Sequence, residues 1–349
     1  MNKKPLNIWI DISNSPHVLF FEPIIPELKK RGHNIYLTAR NFCNTKDLLE
    51  SKGLEAEYIG KGFEYGRIAP FNQLFWYTRA LKLIKYAKPK NFDIAVSHYS
   101  SGQAFAARKL GIPAFATTDY EHVNLNSSSN IQSFLVPDII SSDILIAKGV
   151  PEKSISKYPG LKENVYLYNY KFKSQDILEK FNIKKDEIIV TLRPFSDTAH
   201  YLESSNENFQ DYLVDKITSQ ENVKIIVLAR TEWQKKKFRI KAKRFSNIKV
   251  CEEVIDGPSL ISLSDLVISG GGTMIREAAV LGVPAISFFH GKLGMVDQWL
   301  EAKGILTIIK DEKDLTKILP LKKRYNPIIN PGNGVITSVI DAICNTANL

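Results

Sequence analysis

The sequence predicts an α/β protein of two domains, each a parallel sheet covered by helices. Three observations predict it. Short apolar runs alternate with helical patterns almost from end to end. The 349 residues exceed what one ordinary core holds. A polar, lysine-rich stretch at 170–186 divides the chain near its middle.

In the first half, strands are expected at 7–12, 34–37, 57–59, 94–97, 114–117 and 144–146. In the second half they are expected at 187–192, 224–228, 249–251, 266–269, 285–289 and 306–309. The reading therefore assigns residues 1–170 to an N-terminal domain and 171–330 to a C-terminal one, with an apolar helix from Val335 to about Ala347 after a Pro/Gly loop. In open α/β sheets, ligands bind where loops leave the carboxyl ends of strands, so the chemistry is sought there.

Bulk properties narrow the function. Apolar residues make up 44% and charged residues 24%, the composition of a folded globular chain. No apolar run reaches the ~18–20 residues of a membrane span, and no signal peptide is read after the basic start, so the expected compartment is the cytoplasm. Cys43, Cys251 and Cys344 are far apart and form no CxxC, which argues against a disulfide framework or a zinc site. The net charge of +10 suits nucleic acid, an anionic membrane face or a phosphorylated substrate. Much of it falls on Lys235, Lys236, Lys237, Arg239, Lys241, Lys243 and Arg244, which fill so much of one helix that they must wrap its solvated surface. No nucleic-acid-binding signature accompanies them, and no nucleic-acid partner is expected.

The first strand runs into Ser13-Asn14-Ser15-Pro16-His17 and a helix. Ser15 is read as the N-cap, with Pro16 at the first helical position and Gly32 as the stop. His17 would sit at the positive end of that helix, which disfavours the imidazolium and leaves a neutral ring able to act as general base. A histidine that merely packs the first turn fits the position equally well. The loop lacks the G-x-G-x-x-G of a dinucleotide site, and no GxxxxGK[ST] occurs anywhere.

The most informative segment is 266–289, LVISGGGTMIREAAVLGVPAISFF. Gly270, Gly271 and Gly272 end a buried strand, and a helix is expected from Thr273 to Leu281. Glycines there let an anion approach the first free N–H groups of a helix, whose dipole favours negative charge. Glu277, a turn further in, would repel phosphate but accept ribose hydroxyls. A tight turn using glycine for conformation alone is the alternative. Arg193 ends another strand and suits a diphosphate clamp or, equally, a surface ion pair. His200 and Tyr201 follow in the same loop as weaker candidates.

These segments resemble the GT-B superfamily: the MurG-like N-acetylglucosaminyltransferases, the non-hydrolysing UDP-GlcNAc 2-epimerases and, within it, the DUF354 group. The resemblance covers nearly the whole chain. Pro16-His17-Val18, with Gly32 15 residues after His17, matches the first loop and helix of MurG-like enzymes. The segments 97–102 and 111–122 are similar to later N-domain loops that hold acceptor or catalytic groups. The run 271–284 matches the nucleotide signature, which implies Gly271, Gly272 and Thr273 at the diphosphate and Glu277 at the ribose. Asp297-Gln298, before the helix that ends at Gly304, resembles the pair that holds donor-sugar hydroxyls.

The resemblance implies a GT-B fold, two Rossmann-like domains facing across a cleft, with the terminal helix 331–349 crossing back to the N-terminal domain. It implies a glycosyltransferase that uses a nucleotide-sugar donor, UDP-linked, with an acceptor that the sequence does not identify and that is lipid-linked in the MurG-like enzymes. His17 would deprotonate the acceptor hydroxyl. Ser15 is a candidate substrate-binding residue in the same loop. No DxD motif occurs, so no metal and no cofactor are expected.

Two departures bear on the alternatives. Ser13-Asn14-Ser15-Pro16 replaces the glycine-rich first loop. His98-Tyr99 and Leu192-Arg193 stand where 2-epimerases carry an acidic turn and a GHR turn. Asp119 and Glu121 remain available as acids, which keeps a 2-epimerase as the second reading and a non-catalytic sugar-nucleotide binder as the third.

Residues 63–90 crowd Phe71, Leu74, Phe75, Trp76 and Tyr77 beside Arg79, Lys82, Lys85, Lys88 and Lys90. That composition suits peripheral contact with an anionic leaflet. It also suits an amphipathic helix with its aromatics in the core and its lysines in water.

Overall fold

A computed structural model describes residues 4–42, 44–61, 69–125, 127–194, 204–288, 291–309, 311, 313–314, 319–324 and 335–347, with the backbone alone at 61, 69–75 and 204–208. His200, Tyr201, Phe289, Cys43 and the segment 62–68 lie outside the described residues. The chain forms two compact units, residues 1–166 with 333–349, and residues 167–332.

The first unit opens with β1 (Asn7–Ile12), α1 (Ser15–Lys30), β2 (Asn34–Asn41), α2 (Thr45–Ser51), β3 (Glu57–Lys61) and α3 (Ala69–Ala87). It continues with β4 (Ile94–Ser97), α4 (Ser101–Leu110), β5 (Ala114–Thr117), β6 (Ser133–Pro137), α5 (Ser142–Ile146), β7 (Ile155–Tyr158) and α6 (Asn164–Leu167). Its seven strands are all parallel, in the order β3-β2-β1-β4-β5-β6-β7. The order reverses between β1 and β4, so the loops leaving those two strands part and open a crevice at their carboxyl ends.

The second unit contains α7 (Ser174–Lys180), β8 (Ile188–Arg193), α8 (Ser204–Thr218), β9 (Val223–Val227), α9 (Glu232–Arg244) and β10 (Ile248–Val250). After them come α10 (Gly257–Leu263), β11 (Leu266–Ser269), α11 (Gly272–Val280), β12 (Ala285–Ser287), α12 (Met295–Ala302) and β13 (Leu306–Ile308). The strand order is β10-β9-β8-β11-β12-β13, again parallel, with its reversal between β8 and β11. The fold is thus two parallel-sheet α/β domains, as the sequence predicts.

The last helix, α13 (Val335–Thr346), belongs to the first unit. Its buried residues Val335, Val339, Ile340 and Ile343 form a helical stripe that shares one core with Phe21, Ile24, Ile25 and Leu28 of α1. Each such side chain contributes about 1.5–3 kcal/mol when taken from water. Arg31 donates to Asp341 at 2.7 Å beside this seam.

Four sequence expectations are corrected. The apolar run 144–146 is a helix, α5, because Ser141 caps it by accepting from the Asp143 amide. That end of the sheet is instead built by β6, SFLVP, and by the polar edge strand β7, ISKY, neither of which was expected. Asn14, not Ser15, is the N-cap of α1, accepting from the Ser15 amide at 2.9 Å. The stretch 170–186 is folded into the second unit: α7 buries Ile177, which packs with Phe181, Ile226 and Leu260. Finally, Asp297 lies inside the first turn of α12 rather than before it.

The 63–90 segment is corrected in part. Phe71, Leu74 and Phe75 have no described side chains. Trp76 donates its indole N–H to Ser101 at 2.7 Å and packs edge-on to Phe105. Arg79 faces inward and grips the buried Asp11 carboxylate with both terminal nitrogens, at 3.0 and 2.7 Å. A charge without a partner in the interior would cost several kcal/mol, so Asp11 in the central strand dictates where Arg79 goes. Tyr77, Leu81, Lys82, Lys85 and Lys88 are exposed.

Candidate functional site

In the first unit, chemistry gathers at the crevice between β1 and β4. Asn14 starts α1 so that His17 lies in its first turn, and β4 ends one residue before His98. The two imidazole rings lie 4.5 Å apart, centroid to centroid, and Ser13 Oγ is 3.4 Å from His17 Nδ1. β5 delivers Asp119 to the same place, its Oδ1 3.3 Å from His98 Nε2. The Lys162 ammonium binds the other carboxylate oxygen at 2.7 Å and lies 3.4 Å from Glu163 Oε1. Lys162, Glu163, His98 and Asp119 are all buried.

The electrostatics follow from this packing. Burial holds the His17 pKa well below the ordinary histidine value of 6.5. Electrostatic interaction with His98, Lys162 and Arg40 pushes it the same way, and Asp119 opposes them. The His17 ring is therefore neutral at neutral pH, with desolvation as the leading cause. Tyr99, next to His98, has a left-handed backbone (φ 38°), a conformation that costs a non-glycine residue free energy. Its hydroxyl accepts from the Ser127 amide at 3.2 Å, and burial raises its pKa to about 12. Tyr99 thus stays a neutral phenol, and its hydroxyl bond and its ring contact with Phe134, 5.8 Å between centroids, hold the turn beside His98.

The other expected residues of this unit have partners of their own. Glu121 is buried and pairs with His122 Nε2 at 3.2 Å. Ser15 Oγ lies 3.2 Å from Thr45 Oγ1, tying the first loop to α2. Among the described residues, no group of three or more His, Cys, Asp or Glu side chains is arranged to hold a metal ion.

In the second unit, the reversal between β8 and β11 places Arg193 directly beside Ser269, the last residue before the glycine turn. Gly270 N donates to the Arg193 carbonyl at 3.3 Å, and Gly271 N to Ser269 Oγ at 3.0 Å. Gly271 caps α11, so the amides of Gly272, Thr273 and Met274 open the helix without intrahelical acceptors. The turn is half-exposed, whereas Glu277, a turn further in, is buried.

Two arginines flank the turn. A Cβ on Gly271 would come within 3.6 Å of the Arg230 guanidinium, and one on Gly272 within 3.4 Å of that of Arg276. Arg193 donates to the Leu228 carbonyl at 2.8 Å, which holds its guanidinium across the ends of β8 and β9. Arg276 is buried and makes a bidentate pair with Asp297, at 2.9 and 3.0 Å. Asp297 thus pairs with Arg276, and Gln298 donates to the Leu293 carbonyl at 3.0 Å.

Sequence reasoning missed Lys162, Glu163, Arg230 and Arg276 as members of these clusters. Arg230 could have been found by the rule that found Arg193, since it follows the apolar run of β9 at its carboxyl end. Nothing local marks Lys162, whose partner Asp119 is 43 residues away.

Comparison with known proteins places the geometry in context. The family model described as "Protein of unknown function (DUF354)" matches residues 6–346. The uncharacterized protein MJ0665 of Methanocaldococcus jannaschii is 28% identical over 320 residues, 89% of each chain. A UDP-GlcNAc 2-epimerase of the same organism, solved with UDP-GlcNAc and UDP, is similar in structure with a TM-score of 0.74. That likeness covers 97% of this chain and 99% of the epimerase at 18% identity. The kitacinnamycin glycotransferase is similar with a TM-score of 0.60, over 99% of this chain and 95% of its own, at 13% identity.

Proposed function

The chain belongs to the DUF354 family, and on that premise we propose that it is a glycosyltransferase acting on a nucleoside-diphosphate sugar. The supporting observation is the turn from β11 into α11. Helix-opening amides, the guanidinium groups of Arg193, Arg230 and Arg276, and the buried Glu277 together present the donors and the acceptor that a diphosphate and a ribose require. The structural likeness to enzymes solved with UDP-GlcNAc or named for glycosyl transfer supports the same substrate class.

In this reading the second unit holds the nucleoside diphosphate and the first supplies the base. Neutral His17 accepts the proton of an acceptor hydroxyl as its oxygen bonds to the anomeric carbon. The bond to the diphosphate oxygen breaks with its electron pair, and the arginines and helix dipole stabilise the charge that develops there.

Glu277→Ala should weaken binding of UDP by about 1.5–3 kcal/mol, the range for a lost hydrogen bond to a charged group. Calorimetric titration reads this directly, and unchanged affinity would remove Glu277 from the nucleotide site.

A 2-epimerase is favoured by a separate observation, the buried carboxylates of Asp119 and Glu121, which could serve as acid and base at a sugar carbon. Incubation with UDP-GlcNAc alone separates the two readings. The transferase leaves the sugar nucleotide unepimerised, whereas UDP-ManNAc formed without an acceptor would establish the epimerase.

A further inference from the structure

We propose that the outer face of α9, in the second unit, docks on an anionic lipid surface. α9 buries Phe238 and Gln234 against the sheet. On the opposite side, where a surface helix ordinarily shows polar residues, it carries Trp233, 50% exposed, and Ile240, 57% exposed. They are seven residues apart, two turns of helix or about 10 Å, and so share one line along the outermost ridge.

Cations flank that line. At 100° per residue, Lys236 and Lys243 fall on one side of it and Lys237 and Arg244 on the other. Four basic residues of the helix are already used within the fold: Lys235, Lys237, Arg239 and Lys241 pair with Glu232, Asp211, Glu252 and Asp215. Lys236, Lys243 and Arg244 are exposed and make no ion pair with a described residue. Exposed Lys249 on the neighbouring strand β10 is in the same position. Together, Lys243 and Lys249 border a groove of about 620 Å³ between α9 and β10. Lys236, Lys243 and Arg244 thus crowd the outer face without an ion pair to a described residue, while Lys237 both pairs with Asp211 and flanks the ridge, so the face as a whole offers cations to an anionic surface.

The shape and chemistry favour a bilayer as that surface. Trp233 and Ile240 form a convex ridge, which an acyl boundary accommodates and a pocketed protein partner must match in shape. Lys237 Nζ lies 5.7 Å from the Trp233 ring centroid, so a cation accompanies the indole into the headgroup layer, where tryptophan is enriched. Lysine stems can lie along apolar surface while their ammonium groups reach lipid phosphates. Among the described residues no helix is long and apolar enough to cross a membrane, so this is contact in the plane of the interface.

Flotation with phosphatidylcholine vesicles, with and without roughly 30% phosphatidylglycerol, tests the proposal. The wild-type chain should float only with the anionic vesicles and be released by about 0.5 M salt. Trp233→Ser/Ile240→Ser and Lys236→Glu/Lys243→Glu should each lower the bound fraction about tenfold or more, since each reversed charge both loses and opposes attraction. All these side chains are exposed, so circular dichroism melts should be unchanged, and a shifted melt calls for the milder Trp233→Gln and Lys243→Gln in the same assay. Wild-type flotation by both double variants would overturn the proposal. So would failure of the wild type to float, including the case where poly-glutamate or single-stranded DNA shifts Trp233 emission and vesicles do not. Loss of flotation in Tyr77→Ser/Leu81→Ser with none in the α9 variants would assign the membrane contact to α3 instead.

Discussion

His17→Ala should lower turnover by about 10²–10⁴-fold, the contribution of a positioned general base, while leaving nucleotide affinity unchanged. Affinity is spared because the nucleotide contacts proposed here all lie on the second unit, whereas His17 begins α1 of the first. The pH profile supplies a second readout. Burial and the neighbouring cations lower the His17 pKa, so the neutral ring persists below pH 6.5 and the acid limb of kcat/KM should lie below that value. In the variant that limb should vanish from the residual rate. Stability responds with a defined sign. An unfolded histidine takes up a proton near pH 6.5 that folded His17 refuses, so stability is lost as pH falls from 6.5 through the lower folded value. His17→Ala should flatten that loss. A variant that keeps wild-type turnover and the wild-type acid limb would assign the base elsewhere, and a parallel loss of nucleotide affinity would assign His17 to binding.

The parts of the site that were legible in the sequence are those whose chemistry is local. A glycine run between an apolar strand and a helix states its geometry in adjacent letters, so the turn at Gly270–Gly272 is legible without the fold. His17 was found similarly, because Pro16 and the polar residues before it mark a helix start. The cap itself was misplaced by one residue, since Asn14 and Ser15 are both good caps and only the backbone chooses between them. What failed was whatever depends on a distant partner. Arg79 reads as one more surface cation until Asp11, 68 residues earlier, is seen buried beside it. The signal was present in β1, where an aspartate ends an otherwise apolar strand segment, Ile8–Ile10, and such a carboxylate demands a cation from somewhere. Arg276 and Asp297 illustrate the same limit. The resemblance singles out Asp297, but nothing in its neighbourhood in the sequence marks Arg276, 21 residues away, as the arginine it pairs with. Strands β6 and β7 were missed for a different reason. A short apolar run such as that of α5 has no period by which strand and helix can be told apart, and an edge strand like β7 exposes half its residues.

Lys162→Met should destabilise the first unit by about 3–5 kcal/mol, the cost of removing one partner from a buried ion pair. The ammonium lies between two buried carboxylates, Asp119 at 2.7 Å and Glu163 at 3.4 Å, and its removal leaves negative charge in a desolvated site. The measurement can be confined to this unit. Of the four tryptophans, Trp9 and Trp76 belong to it, and Trp233 and Trp299 to the other, so a Trp233→Phe/Trp299→Phe background makes urea unfolding by fluorescence a report on the first unit. Charge and shape are then separated by adding Asp119→Asn and Glu163→Gln to Lys162→Met. With all three charges gone, nothing buried is left uncompensated, and most of the lost stability should return. A small loss in the single variant would mean that water reaches the cluster and screens it. An equally unstable triple variant would mean that the lysine stem, not its charge, holds the loop. The triple variant has a further use, because it removes the Asp119 carboxylate and the Lys162 ammonium from around the His17–His98 pair without touching either ring. The His17 pKa is lowered by Lys162 and raised by Asp119, with the burial of the ring setting its overall direction. Neutralising both should therefore leave the acid limb of the rate profile below pH 6.5, whereas a limb displaced to 6.5 or above would show that ion pairs rather than burial govern the base.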